Sequence, residues 1–321
     1  MKRLSRDSRG VVLLLVLGMV ALLTVMIVNF SADQGFDMEL AYNFRDSLQA
    51  QYIARAGIEA AIVILNNDET AYDSEDEEWG GFSDYAMAAS TFLEGPVFTG
   101  TLKDESSKID INSLIAEGQQ EFRLLQFKRL FDLLAIDITG EELEDFLNAL
   151  IDWLDKDSET TFGAEDDYYD SLEHPYVCKD GPMDTPEEIL LVKGMKPEYY
   201  YGTDTYEGIQ EYIAVGTGGK INLNTASDVV LMSMTELFSQ DVVDSIKDCR
   251  PFEQVSYECI QGVDFADTSD EMAWVKTVLD IKSSRFSIDV KGFMPSGAQI
   301  NIQAFLQRIN NDTRIVYYKI Y

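Results

Sequence analysis

The feature that most constrains this chain is a run of eighteen residues, Val11–Val28, that carries no ionisable group and directly follows the basic flank Lys2, Arg3, Arg6 and Arg9. As a helix from Val11 to Phe30 it is about 30 Å long, enough to cross the hydrocarbon core of a bilayer. A secretory signal has a shorter apolar core and small residues at its cleavage site. Here the exit NFSADQ places bulky Phe30 ahead of Ala32. The basic flank is expected to stay in the cytoplasm, which sends everything after Phe30 across the membrane. The fifth residue after Gly10 is Leu15.

The segment that follows contains no proline, and Leu40, Tyr42, Phe44, Leu48, Tyr52, Ala56, Ala60 and Ile64 recur near helical spacing. One long helix over 11–66 is predicted, loosened at Gly35, apolar all round in its first half and amphipathic in its second. The second half should pack on a soluble domain. Seven carboxylates then fall between Asp68 and Glu78 with no basic residue among them, the pattern of a solvated loop.

Two short β-type runs in GPVFTGTLKDESSKIDIN lead into a helical stretch: EFRLLQFKRLFDLLAID, EELEDFLNALIDWLDKD, DTPEEILLVKG, TASDVVLMSMTELF, DVVDSIKDC and DEMAWVKTVLDI. In DTPEEILLVKG the signals are explicit, with Asp184 or Thr185 as N-cap, Pro186 at the first position and Gly194 past the end. RFSIDVKGFM, QINIQAFLQRI and TRIVYYKIY then alternate as strands of an antiparallel meander. Strands on both sides of the helices predict an α+β sheet domain with a helical insertion. KIDINSL (108–114) and KINLNTA (220–226) echo each other, either as a shared way of leading a strand into a cap or as a duplicated subdomain.

Composition narrows the function. With 57 acidic against 25 basic residues and a net charge of -32, the chain repels phosphate backbones, and no nucleic-acid partner is expected. INLNTAS followed by an apolar helix suggests the alternative, a membrane-anchored helix-hairpin-helix DNA-binding protein, against which the charge argues. A single histidine, His174, leaves no basis for a Ser-His-Asp triad or a His-rich zinc site. Of three cysteines, either Cys249 pairs with Cys259 and leaves Cys178 odd, or all are unpaired thiols.

The densest chemistry is DWLDKDSETTFGAEDDYYD. Eight carboxylates face one lysine, and helical spacing sets Asp152 and Asp155 side by side near the negative end of their helix. A hard cation reverses each of these repulsions, and calcium takes six to eight oxygens in flexible geometry. Asp155, Asp157 and Glu159 follow the alternate spacing of an EF-hand start, but Thr160 stands where the turn glycine belongs. The segment is either a calcium site or a solvated acidic loop.

Taken in order, RGVVLLLVL, YIARAGIEAA, KIDINSL, IDWLDKD, GAEDDYY, PEEILLVKGM and GGKINLNTAS resemble the type II secretion minor pseudopilin K, or general secretion pathway protein K. The resemblance implies a pilin-like long N-terminal helix packed on an antiparallel sheet, with a large all-α insertion. The corresponding segments are a cytoplasmic leader (1–10), the membrane part of the helix (11–30), a pseudopilin core (31–112), the insertion (113–282) and the last strands (283–321). It implies cleavage by prepilin peptidase between Gly10 and Val11, with methylation of the new N-terminus, Val11 standing where the family more commonly has Phe. It implies a non-catalytic, single-pass inner-membrane protein with its bulk in the periplasm, at the pseudopilus tip with minor pseudopilins I and J above the major pseudopilin, supporting export of folded substrates. It implies calcium in the insertion, with Asp152, Asp155, Asp157, Glu159, Glu165 and Asp166 as candidate ligands. Ordinary pilins have Glu at the position of Leu15, so this subunit makes no demand on one placed ahead of it.

Overall fold

A computed structural model describes residues 8–92, 97–157, 159–160, 162–310 and 312–321. Lys2, Arg3 and Arg6 of the basic flank lie outside these residues, as do Gly95 and Pro96, where the first strand signal starts. Helix α1 (Ser8–Asn67) runs without a break through Gly35, so the expected loosening is not found. Every side chain from Gly10 to Arg45 is exposed. The one polar group inside the apolar run, the Thr24 hydroxyl, donates to the Val20 carbonyl 2.8 Å away, which satisfies it within the helix.

After α1 come α2 (Phe82–Phe92), β1 (Val97–Asp104), β2 (Ile109–Asp110), α3 (Gln120–Leu133), α4 (Gly140–Leu154), α5 (Asp166–Tyr169) and α6 (Pro197–Tyr201). These are followed by β3 (Ile213–Ala214), β4 (Ile221–Asn222), α7 (Asp228–Met234), α8 (Gln240–Asp248), α9 (Asp270–Val278) and β5 (Leu279–Asp280). The chain closes with β6 (Arg285–Phe293), β7 (Gln299–Ile309) and β8 (Asp312–Ile320). The main sheet has the order β1-β6-β7-β8 and is antiparallel throughout. Because β1 precedes the helices and its partner β6 follows them, the helical part is an insertion between two neighbouring strands. The fold is therefore α+β, a long helix on an antiparallel sheet. The insertion is not wholly α: β2 pairs with β3 and β4 with β5, each as a two-residue parallel bridge. The KIDINSL and KINLNTA echo falls on these bridges. Asp110 Oδ1 accepts from Asn112 N at 3.1 Å, and Asn222 Oδ1 from Asn224 N at 2.9 Å, the same local turn twice.

The face of α1 that meets the sheet differs from the predicted stripe. Ala50, Ala54, Gly57, Ile58, Ala61 and Leu65 are buried, whereas Leu48, Tyr52 and Ala56 are exposed. Close approach explains the difference: a Cβ on Gly292 of β6 would lie 2.1 Å from the Ala50 carbonyl oxygen, and one on Gly57 2.7 Å from Val290 Cγ1. Backbones this near admit only small residues between them, so the bulky stripe is turned away. Trp79, Phe82, Phe286, Ile288, Val290, Ile302 and Leu306 complete this core, and a second, larger core fills the insertion.

The acidic segment after α1 is a loop in which Glu69, Glu75, Asp76 and Glu78 are exposed as expected, but it is not solvated throughout. Asp73 is fully buried and Trp79 nearly so, and α2 begins at Phe82. Arg308 from β7 forms ion pairs with Asp73 and, at 3.2 Å, with Asp68, and Lys282 lies 2.8 Å from Asp68. Asp73 Oδ2 accepts from Ser283 N at 2.6 Å, and Asn222 of the insertion donates to the Asp73 carbonyl at 3.0 Å. Asp104, at the end of β1, accepts from the hydroxyls of Ser283 and Thr225, both at 2.6 Å. These bonds tie α1, the sheet and the insertion together where the chain enters and leaves the insertion.

Candidate metal centre

Helix α4 delivers the acidic segment. Thr139 and Glu142 form a reciprocal capping box at its start, and Leu143, Phe146, Leu147, Leu150 and Leu154 are buried along one face. The helix ends at Leu154, with Asp155 as C-cap. The loop beyond it is drawn back onto α4 at Gly163, where a Cβ would sit 2.5 Å from the Asn148 carbonyl carbon, so only glycine permits the approach. Lys193 holds the same point by donating to the Gly163 carbonyl at 3.2 Å. On the other side Gly181 N donates to the Trp153 carbonyl, bringing the turn Cys178–Gly181 against the end of α4. Asp180 in that turn has φ 48°, a left-handed conformation that Asp tolerates better than most residues.

Two overlapping groups of ligand atoms result. Carboxylate oxygens of Asp155, Asp157 and Glu165 lie within 4.8 Å of one another, and so do those of Glu165 and Asp180 with Cys178 Sγ. Glu165 belongs to both and is only 5% exposed. Both its oxygens, with Oδ1 of Asp155 and Oδ1 of Asp180, are buried without an N–H or O–H donor among the described residues. The Cys178 thiol, a weak donor, leans on Glu165. Burial, then Asp180, Asp152 and Asp155, push Glu165 up to about 7. Burial, with Asp157 and Asp152 beside it, raises Asp155. Burial pushes the Cys178 thiol up to about 12. Among the described residues no lysine or arginine forms an ion pair with this group. Lys179, which could, is committed to Asp184 at 2.7 Å and Glu188 at 2.6 Å. Glu165 is buried, Asp155 and Asp180 are half-buried and Asp157 is exposed, and their oxygens are of the type that a hard divalent ion takes.

Of the residues singled out by sequence, Asp155, Asp157 and Glu165 converge. Asp152, 1% exposed on the last turn of α4, is close enough to raise Asp155 and Glu165. Asp166 is used differently, accepting from Cys178 N at 2.7 Å and so fastening the turn. Glu159 falls outside the two groups, and its N–H donates to Asp157. Cys178 and Asp180 were missed. The Asp-Gly pair at 180–181 is the one sequence signal of the turn that brings them in.

Elsewhere, Gly10, Val11 and Leu15 lie exposed on α1, the one helix among the described residues long and apolar enough to cross a membrane. Cys249 and Cys259 are joined in a disulfide with Cα atoms 6.1 Å apart, and Cys178 is free. Ile221–Asn224 and Ala226 are buried. The backbone that a helix-hairpin-helix module would offer to phosphate is therefore enclosed.

Comparison with known proteins adds to this geometry. Residues 107–205 match the family model "Type II secretion system (T2SS), protein K". The type II secretion system protein K of Aeromonas hydrophila is 24% identical over 61% of this chain and 61% of its own length. That of Klebsiella pneumoniae is 25% identical with the same coverage, so the chain spans about three-fifths of the length of both relatives. The Pseudomonas aeruginosa protein K is 25% identical over 73% of this chain and 70% of its own. A crystal structure of the GspK-GspI-GspJ complex from enterotoxigenic Escherichia coli contains a chain of the same fold, with TM-score 0.63, 16% identity and coverage of 89% of this chain and 98% of that one. Sequence and fold agree that this chain resembles protein K of the type II secretion system.

Proposed function

We propose that this protein is a structural minor pseudopilin at the tip of a type II secretion pseudopilus, anchored in the inner membrane with its folded part in the periplasm. The observation that carries this reading is α1, a single helix whose first half is apolar and wholly exposed and whose second half is built into a four-stranded antiparallel sheet. The exposed half suits lipid first and neighbouring pseudopilin helices after assembly. Homologues of I and J are its closest partners, the major pseudopilin lies below them, and prepilin peptidase cuts between Gly10 and Val11. Leu15, with no carboxylate to neutralise, suits the first subunit of the series, from which export of folded proteins is driven without catalysis by this chain.

Gold labelling of this chain on sheared pseudopili tests the position. Label at one end is expected, and label along the shaft overturns it. The mass of the mature chain should begin at Val11.

Calcium is the ion the cluster suits, held by Asp155, Asp157 and Glu165 with Asp152 beside them. It supplies charge neutralisation where α4 ends. The full chain in detergent should melt higher with calcium than with chelator. Superimposable melting curves remove the site.

A further inference from the structure

We propose that the second half of β8 is a docking edge for an extended segment of a partner protein, one in which apolar and acidic residues alternate. The sheet order β1-β6-β7-β8 leaves the outer side of β8 without a strand among the described residues. Long open edges invite pairing, and folded chains blunt them with proline, bulges, charge or a cover. The first half of β8 is blunted in two of these ways. Asn66 of α1 covers it, its side-chain oxygen accepting from Thr313 N at 2.8 Å, and Val316 is the extra residue of a bulge where the register slips between Phe305 and Leu306. The second half, 317–320, is regular, and 313–321 holds no proline and no acidic residue.

The ladder fixes what this half presents. Tyr321 exchanges both backbone bonds with Asn301, at 3.0 and 3.1 Å, so Lys319 and Tyr317, in the same phase, also turn toward β7. The N–H and C=O groups of Tyr318 and Ile320 therefore point away from the sheet, and the two residues are 55% and 40% exposed. Their side chains share the α1 face with their partners Ala304 and Ile302, which belong to the core. Lys319 lies on the opposite face, over the Tyr321 ring, and forms no ion pair among the described residues. An added strand therefore needs apolar residues beside Tyr318 and Ile320 and an acidic one opposite Lys319. Charge selects the same occupant: residues 285–321 carry five basic and two acidic side chains, a net of +3 in a chain of net charge -32. A second copy fits badly, because antiparallel pairing of this half with itself brings Lys319 toward Lys319 while two strongly negative chains approach. The edge is independent of the pseudopilus reading.

The probe is a short dye-labelled peptide of alternating valine and glutamate, and its counterpart has lysine in place of glutamate. Fluorescence anisotropy with the full chain in detergent at low salt should show the glutamate peptide binding. The lysine peptide should bind at least about 3-fold more weakly, since opposite charges across strands favour pairing and like charges oppose it. Lys319→Glu should reverse that order. Tyr318→Pro removes an outward N–H at an edge position that tolerates proline, and should weaken the glutamate peptide at least about 5-fold. In amide hydrogen exchange the bound peptide should slow Tyr318 and Ile320. No binding to the unmodified chain, equal binding of the two peptides, an order that Lys319→Glu leaves unchanged, or binding that leaves those amides exchanging as before overturns the proposal. Slow exchange that arises without peptide and grows with chain concentration overturns it too, by identifying a second copy as the occupant. If Tyr318→Pro does not fold, the reversal by Lys319→Glu decides.

Discussion

Asp73 and Glu165 are both buried carboxylates set in runs of acidic residues, and the two regions treat them in opposite ways. Around Asp73 the sheet sends in cations. Arg308, itself nearly buried and stacked over Phe286, pairs with Asp73 and Asp68, and Lys282 closes the outer side. Ser283, Thr225 and Asn222 then donate to Oδ2 of Asp104 beside them, and Ser106 N to its Oδ1. Around Glu165 no such ion pair is seen among the described residues: Lys179 points to Asp184 and Glu188, and Lys193 to the Gly163 carbonyl. Carboxylate density therefore says little about function. The joint takes its positive charge from the chain's own arginine, whereas the calcium proposed for the other region would bring it from solution.

Removing Arg308 should break the first region hardest. Arg308→Ala leaves Asp73 buried beside Asp68 with half-exposed Lys282 alone to answer them, and cutting one partner from a buried pair costs about 3–5 kcal/mol. Thermal unfolding of the detergent-solubilised chain should show the full loss with calcium or chelator alike. Glu165→Gln should do the reverse. In chelator the variant should be no less stable than the unmodified chain, because it removes an unanswered charge. With calcium at 100 times its dissociation constant it should lack the gain of about 2.7 kcal/mol expected of the unmodified chain. A large loss from Glu165→Gln in chelator would mean that the two regions are alike after all.

The joint should also carry a pH signature that calcium does not touch. Burial works against Asp68, but hydrogen bonds from Lys282 and Thr70 hold it down at about 2. Its contribution is present above the ordinary 3.8 and is lost as pH falls through 2. Asp104 is pushed by burial up to about 6, its hydroxyl donors only partly offsetting this, and Asp73 adds repulsion. Its contribution is complete below 3.8 and is lost as pH rises through 6. The melting temperature of the chain should therefore carry a downward component between pH 4 and 6. Asp104→Asn should flatten that component equally with chelator and with calcium, and a component that changes with calcium would place its source in the insertion loop.

Much of this was legible in the sequence because it rests on patterns that need no partner. The apolar run, the three alternating strands at the end and the amphipathic α4 all announce themselves through their own periodicity. What was not legible depended on a neighbour. The buried face of α1 is decided by Gly292 and Gly57 bringing backbones together, so small residues, invisible to a hydrophobic stripe, turned out to be the contact. Pro186–Leu191 carries every N-terminal helix signal yet forms a 3-10 helix, because Pro186 and Ile189, three apart, are the residues that it buries. The acidic segment after α1 reads as solvated until Arg308, 235 residues away from Asp73, is placed on it. At the candidate centre Asp155, Asp157 and Glu165 were found from local density. Cys178 and Asp180 were not, since only the fold brings their turn to the end of α4.

The smallest effect tests how much of the joint is electrostatic. Lys282 is 31% exposed and reaches Asp68, Asp73 and the carbonyls of Thr70 and Tyr72 at 2.8–3.4 Å. Its solvent contact lets water and salt replace much of what it provides, so Lys282→Met should cost no more than about 1 kcal/mol. That loss should shrink as salt is raised from low to physiological strength, because partly exposed pairs are screened. The Arg308→Ala loss should not shrink, since ions do not reach a pair enclosed between Phe286 and Ser283. Equal salt sensitivity in the two variants would place Asp73 in contact with solvent, and the contrast with Glu165 would then rest on exposure rather than on the source of the charge.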